Sequence, residues 1–264
     1  MSISHPEVAA PPSGPFSSYA PVLAPASPDA GKLHAFLQEL RLPLAASQGM
    51  LSLLDDSSPS DSVRMALQAL QNHNDYLVEL VSEYALLNRL AADEVQVVSQ
   101  QIELQQWLNR VIVEQGRLAE TMSIDLSTYP ESQLPETVLG DPELMRRALA
   151  AMLQVAMHRT IPASGRSTSM DLRVRWQTAY QADCAPRLVF ELVCRDEMFE
   201  SSELPHIFAP FRVRDSASRP LLGLCIAKAA AERLGGSLEV ETSATQTCLE
   251  LSFQVRRMPQ AVFE

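Results

Sequence analysis

The chain lacks the features of membrane-spanning, secreted and nucleic-acid-binding proteins. No apolar run reaches the roughly 18 residues that a membrane helix needs. The N-terminus has no basic stretch followed by an apolar core, so it is not a secretory signal and we expect a cytoplasmic protein. Lysine and arginine total 21 against 32 acidic residues, and the net charge is −11. Because affinity for nucleic acid comes mostly from clustered Lys and Arg, nucleic acid is a disfavoured partner.

Cysteine is also scarce and shows no pattern of a redox or metal site. The four cysteines have no CxxC spacing and fall in apolar runs, so we expect buried, reduced thiols. The 264 residues are 46% apolar and 20% charged. That composition is ordinary for a globular protein, and the length suffices for one large or two small domains.

Residues 1–30 have the composition of a disordered segment. They hold seven prolines and many alanines and serines, but few large apolar side chains. Such a stretch cannot bury enough surface to offset the entropy lost on ordering, so we expect a disordered tail.

Residues 31–94 have the periodicity of two amphipathic helices. Apolar side chains recur every three or four positions over 31–55 and again to about residue 92. DDSSPSDS separates the two stretches, and Ser60 or Asp61 can cap the second. Two long helices joined by a short turn form an antiparallel hairpin. A lone hairpin leaves apolar surface exposed, so we expect it to pair with a second copy into a four-helix bundle.

From about residue 95 onward, helical and strand patterns are mixed. The second predicted helix of this part opens with Asp141 as cap and Pro142 in its first turn. Helices are predicted at 102–121, 140–159 and 221–236. Strands are predicted at 122–127, 169–178, 187–196, 237–243 and 247–255. This order indicates an α/β sandwich with one helical face, so the whole chain is of the α+β class.

Five segments in register resemble the catalytic core of bacterial sensor histidine kinases. FLQELRLPL (36–44) resembles the H-box, whose core is commonly H-E-L-R-T-P-L. The end of the second hairpin helix is resembled by LVSEYALLNRLAADEVQV, and the N-box helix by VLGDPELMRRALAAMLQVAM. The G1 and F boxes are resembled by LVCRDEMFESSELPHIFAPF, and the G2 box by LLGLCIAKAAAERLGGSLEVETS. The resemblance implies a dimerisation hairpin (31–94) followed by a Bergerat-type, HATPase-like sandwich (95–264).

The H-box segment keeps the residues that surround the phosphorylated position but lacks the nucleophilic histidine itself. Pro43, Glu39 and Arg41 match the family, and the family's proline bends the helix just after the phosphorylated histidine. Gln38 stands at the histidine position. A carboxamide nitrogen has a delocalised lone pair and cannot form the phosphohistidine. Glu39 matches the family's general base but has no histidine to activate, so we expect a solvated helix charge there.

The nucleotide motifs are changed as well. Aligning LQVAMHRT with L-x-N-A-x-K-F-T puts Val155 at the central Asn that would ligate Mg²⁺, Ala151 at the earlier Asn, and His158 at the Lys position. In the G1 box Asp196 survives, while Met198 and Glu200 replace both glycines.

In the G2 box, one glycine of the phosphate loop remains. Gly223 is kept, whereas Leu221 replaces another glycine and Pro220 removes an N–H donor. The chain has nine glycines, which is few for a protein expected to cradle a triphosphate. These losses affect phosphoacceptor, metal, adenine and phosphate contacts together, so we expect a pseudokinase without catalytic activity, bound cofactor or metal.

These losses favour a protein that acts by binding other proteins. The resemblance implies that the hairpin binds a response-regulator receiver domain or a sensor histidine kinase, with Gln38, Glu39, Arg41 and Pro43 on or beside the binding surface. Homodimer and heterodimer are both open, because the apolar seam is generic. One alternative is a phosphotransferase that uses a displaced histidine: His34, one turn before Gln38, or less favourably His73. An active ATP-dependent enzyme has only Asp196 and the fold in its favour.

Overall fold

A computed structural model describes residues 28–52, 60–160, 168–178, 185–195, 198–215 and 219–257. It contains a helical hairpin followed by an α/β sandwich, as the sequence predicts. Within those ranges, none of the helices combines the length and apolarity that crossing a bilayer requires.

The hairpin consists of α1 (Pro28–Ser52) and α2 (Ser60–Ala91). The first helix begins three residues inside the predicted disordered tail, because proline is favoured in the first turn of a helix. Residues 1–27, the rest of that tail, and residues 53–59 lie outside the described ranges. Apolar side chains hold the two helices together, and the rings of Phe36 and Tyr84 stack with centroids 4.1 Å apart.

The sandwich contains three helices, eight short or medium strands and one 3₁₀ turn (Leu204–His206) among the described residues. The helices are α3 (Leu104–Thr121), α4 (Pro142–Arg159) and α5 (Gly223–Arg233). The strands are β1 (Gln100–Glu103), β2 (Ile124–Pro130), β3 (Thr137–Gly140), β4 (Thr168–Gln177), β5 (Arg187–Cys194), β6 (Ser237–Ser243), β7 (Gln246–Gln254) and β8 (Arg256–Arg257).

The main sheet has the strand order β2-β4-β5-β7-β6, with β2 and β4 parallel and the other neighbours antiparallel. One face packs on the helices, and its side chains, such as Leu172 and Phe190, are fully buried. The other face carries charges that pair across strands, for example Arg175 with Glu250. This alternation is why the long strands were predictable from their sequence.

The predicted single sheet is incomplete, because β1, β3 and β8 form a second, three-stranded sheet. Residues 102 and 103, assigned to a helix from the sequence, belong to β1, and α3 begins at Leu104. The strands of this sheet are two to four residues long, too short to show a period of their own.

The predicted cap of α4 is confirmed. The Asp141 carboxylate accepts hydrogen bonds from the backbone N–H groups of Glu143 (3.1 Å) and Leu144 (2.9 Å), and from Val98 N–H (2.8 Å). Asp141 therefore starts the helix and also ties it to the segment that leaves the hairpin.

The described cysteines are thiols rather than disulfide partners, as expected. Cys194 and Cys225 are buried and Cys248 is partly buried, while Cys184 lies outside the described ranges. Burial raises the pKa of Cys225 to about 12, which keeps that thiol protonated and unreactive.

Candidate functional site

The first part of the candidate site is one exposed face of α1. We call it the Gln38 face; its members are all exposed and are His34, Gln38, Arg41, Leu42 and Ala45. Arg41 Nη1 donates to Gln38 Oε1 at 3.2 Å, and Gln38 Nε2 lies 3.3 Å from His34 Nε2. The face thus presents hydrogen-bonding groups together with one leucine, Leu42, which is 75% exposed.

Glu39 lies on another side of the helix and is not the solvated charge that we expected. Its carboxylate pairs with the guanidinium of Arg214, and the longer of their hydrogen bonds, Arg214 Nη1 to Glu39 Oε2, measures 3.3 Å. The hydrogen bond that Arg214 donates to Glu39 raises the pKa of Arg214. The prediction failed because the partner lies far along the chain and is brought here by the docking of the sandwich.

Pro43 is buried, so it lies beneath the hairpin surface rather than on it. Nearby, Phe211 joins the stacked pair of Phe36 and Tyr84, with ring centroids at 6.5 and 5.8 Å. Phe211 has a φ of 64°, a left-handed conformation that a bulky residue adopts only when its surroundings hold it. The aromatic cluster and the Glu39–Arg214 pair fasten the sandwich to the hairpin.

The second part of the candidate site is the contact between α4 and the start of α5. Ala151 and Val155 of α4 are 9% and 2% exposed. A Cβ placed on Gly223 would lie 2.7 Å from both the Ala151 carbonyl oxygen and Val155 Cγ2. The two helices are therefore in direct contact at the positions that the sequence resemblance assigns to metal and phosphate ligands.

The third part is the loop that follows β5. Met198 is 2% exposed, and its N–H donates to Thr247 Oγ1 at 3.0 Å. Phe199 beside it is fully buried. The Met198 side chain occupies core space that a glycine would leave open. Asp196, the remaining adenine-binding candidate, lies outside the described ranges.

Arg159, at the end of α4, fixes this loop and was missed from the sequence. Its guanidinium donates to Met198 O at 2.7 and 2.9 Å, to Arg214 O at 2.7 Å and to Glu203 Oε2 at 2.7 Å. It also lies over the ring of Phe199, with Cζ 5.2 Å from the centroid. The signal was present in LQVAMHRT, where arginine stands at the aromatic position of the N-box.

A small cavity of about 60 Å³ lies where α2, α4 and the start of α5 meet. Small-molecule sites usually enclose several hundred cubic ångströms. Its walls include two carboxylates of α2, Glu79 and Glu83, together with His158 and Gly223. Burial, and then the charge of Glu79, raises the pKa of Glu83 to about 7. Both glutamates were missed from the sequence, although their i, i+4 spacing in α2 was visible.

Comparison with known proteins identifies the architecture. No protein-family model matches the chain. The Acinetobacter baumannii histidine kinase AdeS aligns with a TM-score of 0.64 at 15% identity, over 82% of this chain and 96% of AdeS. Full-length ShkA in complex with AMPPNP aligns with a TM-score of 0.61 at 18% identity, over 88% and 47% of the two chains. The chain has the fold of a histidine-kinase core.

A third solved structure has this fold, and two curated relatives match the chain in sequence. The histidine kinase ThkA, solved in complex with the response regulator protein TrrA, aligns with a TM-score of 0.59 at 16% identity, over 88% of this chain and 63% of that chain. The hybrid signal transduction protein dokA of Dictyostelium discoideum is 25% identical over 77% of this chain. Two-component system protein A of Emericella nidulans is 23% identical over 76% of this chain. The chain spans 12% and 29% of the lengths of these two relatives.

The residues at the nucleotide positions of this fold do not fit a magnesium nucleotide. The two N-box positions carry Ala151 and Val155, which offer no side-chain oxygen to Mg²⁺. Gly223 is packed against both, and the cavity beside it is lined by the carboxyl groups of Glu79, Glu83 and Asp215 as well as by Arg219 and His158. Within the described ranges, no group of three or more His, Cys, Asp or Glu side chains could hold a metal ion.

Proposed function

We propose that this chain is a catalytically inactive histidine-kinase-like protein that regulates two-component signalling. In this proposal, residues 31–94 bind a receiver domain or a partner kinase, and residues 95–264 are a degenerate HATPase-like domain. The observation that carries the proposal is the direct contact of Gly223 with Ala151 and Val155. That contact packs Gly223 against side chains that offer no oxygen to a metal, at the positions where metal-bound phosphates would be held.

Restoring the missing histidine tests the inactive state most directly. Gln38→His returns the nucleophile but leaves the closed α4–α5 contact unchanged. We therefore expect neither wild type nor Gln38→His to bind Mg-ATP by calorimetry at millimolar nucleotide, and neither to become phosphorylated by ATP. Micromolar binding, or labelling of the variant by radioactive ATP, would contradict the proposed loss of nucleotide chemistry.

The Gln38 face is the proposed binding surface for the receiver domain. It is exposed, next to Pro43 in sequence, and on a side of α1 away from the Glu39–Arg214 pair that joins the sandwich. The solved complex of ThkA with the response regulator protein TrrA shows that a protein with this fold can bind such a partner. The kinase alternative uses the apolar helix faces instead, through which two hairpins can pair.

Binding of receiver domains encoded in the same genome tests this surface. Arg41→Ala and Leu42→Glu should weaken binding at least tenfold, because they remove a donor and add a charge on the Gln38 face. Arg64→Ala, an exposed change on α2 outside that face, is the control. If all three variants bind every receiver domain as wild type does, the surface is assigned wrongly.

A phosphotransferase is the second candidate, and the position of His34 favours it. His34 is exposed, and its Nε2 lies 3.3 Å from the Gln38 amide on the same face. His73 is a poorer candidate because it is partly buried, with Nδ1 3.4 Å from Ser47 Oγ. Incubation with a phosphorylated receiver domain should label His34 if this function exists. Transfer that survives His34→Ala, or no transfer at all, eliminates His34 as the acceptor.

A further inference from the structure

Glu83 occupies an unusual position in the contact between the hairpin and the sandwich. The helix α2 packs against α5, and three of its apolar residues, Leu80, Tyr84 and Leu87, are 1%, 7% and 9% exposed. Glu83 lies among these apolar residues, on the side of α2 that faces the small cavity. Docking of the sandwich therefore removes water from a carboxyl group.

No cation compensates this burial within the described part of the chain. The titratable groups around Glu83 are Glu79 and Tyr76 from α2, His158 from α4, Asp215 and Arg219 from the segment before α5, and Cys225 from α5. Arg219 is engaged elsewhere: its Nε donates to Asp215 Oδ2 at 2.8 Å, and its Cζ lies over the ring of Tyr76. No hydrogen bond or ion pair with a described residue reaches the Glu83 carboxylate.

Two effects act on the charged form of Glu83 in opposite directions. Loss of water and the carboxylate of Glu79 one turn away disfavour the charge. The positive end of the α5 dipole, which begins at Gly223 in the same cavity, favours it within the first turn. Burial is the larger effect, and the pKa of Glu83 is raised from its ordinary value of 4.5 to about 7.

We propose that ionisation of Glu83 loosens the contact between the hairpin and the sandwich, so that this joint is a pH-sensitive switch. When the sandwich undocks, Glu83 regains water and its ordinary acidity. The docked state is therefore fully favoured below about pH 4.5 and loses stability as the pH rises towards 7. Above that value both states carry the charge, and the dependence levels off.

Undocking has a structural consequence on the hairpin surface. The same movement separates Glu39 from Arg214 and uncovers the aromatic rings of Phe36 and Tyr84. The switch thereby changes the surface beside the Gln38 face. The inference concerns only the joint, so it holds whether or not the proposed receiver partner is the correct one.

Hydrogen exchange of the full-length chain between pH 5 and 8.5 tests the proposal. The α5 amides report undocking, after correction for the intrinsic pH dependence of exchange. We expect their opening constant to rise up to about tenfold per pH unit as far as pH 7 and then to level off. Glu83→Gln should abolish this rise and keep α5 protected at all pH values.

Three further variants make the test specific. Asp75→Asn, on an exposed side of α2, and His158→Gln, in the cavity wall, should retain the pH response. Glu79→Gln removes the neighbouring charge and should move the midpoint to lower pH, and it serves if Glu83→Gln does not fold. A response that is identical in wild type and Glu83→Gln, or a midpoint that Glu79→Gln leaves unchanged, overturns the proposal.

Discussion

Gly223 keeps the residue type of a phosphate loop while having a packing role. Without a side chain, it allows the start of α5 to approach the backbone of α4 at Ala151. The G2 resemblance assigns this glycine to a phosphate loop, but its presence alone does not indicate a nucleotide site. At the residue scale, a residue type that matches a motif and the role of that residue are therefore separate questions.

Two separate glycine-to-alanine substitutions test this packing role. Gly223→Ala places a methyl group 2.7 Å from the Ala151 carbonyl oxygen and Val155 Cγ2. Overpacking of this kind should lower the free energy of unfolding by about 1–3 kcal/mol, measured by urea denaturation. Gly116→Ala is the matched control: it lies inside α3 with no atom near the added Cβ, so it should stabilise by roughly 0.5–1 kcal/mol. Equal effects of the two substitutions would contradict the packing role.

Arg159 illustrates what sequence reading misses at single positions. Its side chain bonds to Met198, Glu203 and Arg214, which are 39, 44 and 55 residues further along the chain. Contacts at such separations leave no periodic signal. Gln38, Val155 and Met198 were found because they depart from a known motif, whereas the contacts of Glu39 and Glu83 depend on how the hairpin docks.

Replacing Arg159 should destabilise the loop that it holds. Both Arg159 and Glu203 are largely buried, with side chains 19% and 22% exposed. Arg159→Met leaves two carbonyl oxygens without the guanidinium donor and Glu203 with only the Glu200 N–H, and we expect a loss of about 3 kcal/mol in urea denaturation. Arg147→Met, which breaks an exposed helical pair with Glu143, should cost no more than about 0.5 kcal/mol. A small cost for Arg159→Met would show that the loop is held mainly by Met198 and Phe199.

At the scale of elements, predictability followed length and amphipathicity. The helices of the hairpin and α4 were predicted within a few residues, because each buries one face and α4 has an aspartate cap and an early proline. The main sheet was predicted for the same reason, since its strands alternate between core and solvent. The three-stranded sheet was not, because its short strands gain their structure from pairing with distant segments.

The cap of α4 gives a prediction at this scale. Asp141→Ala removes three hydrogen bonds, two to the first turn of α4 and one to Val98. We expect a loss of about 1–2 kcal/mol in the free energy of unfolding, and faster hydrogen exchange at both the start of α4 and residue 98. Asp125→Ala, an exposed aspartate on β2, is the control. Faster exchange at α4 alone would mean that the bond to Val98 has no anchoring role.

At the scale of the whole molecule, the hairpin has two free apolar stripes in addition to the joint. The stripe on α1 consists of Leu33, Leu37, Leu44 and Leu51, which are 47–56% exposed. The stripe on α2 consists of Leu67, Val78 and Val81, which are 46–58% exposed. At 100° per residue, the α1 stripe lies away from both Pro43 and the Gln38 face. Exposed apolar rows on two adjacent helices are typical of surfaces that are buried by a further pair of helices.

We therefore expect a homodimer that is formed through these stripes. Sedimentation at micromolar concentration should give twice the mass of the 29.1 kDa chain. Leu37→Glu and Val81→Glu should each give folded monomers, because a charge in a bundle core is costly while the isolated hairpin exposes these side chains anyway. Leu42→Glu adds the same charge on the Gln38 face and should leave the dimer intact. A monomeric wild type would contradict the homodimer. It would instead favour the stripes as the binding site of a partner kinase, whose own helical hairpin would then supply the second pair of helices.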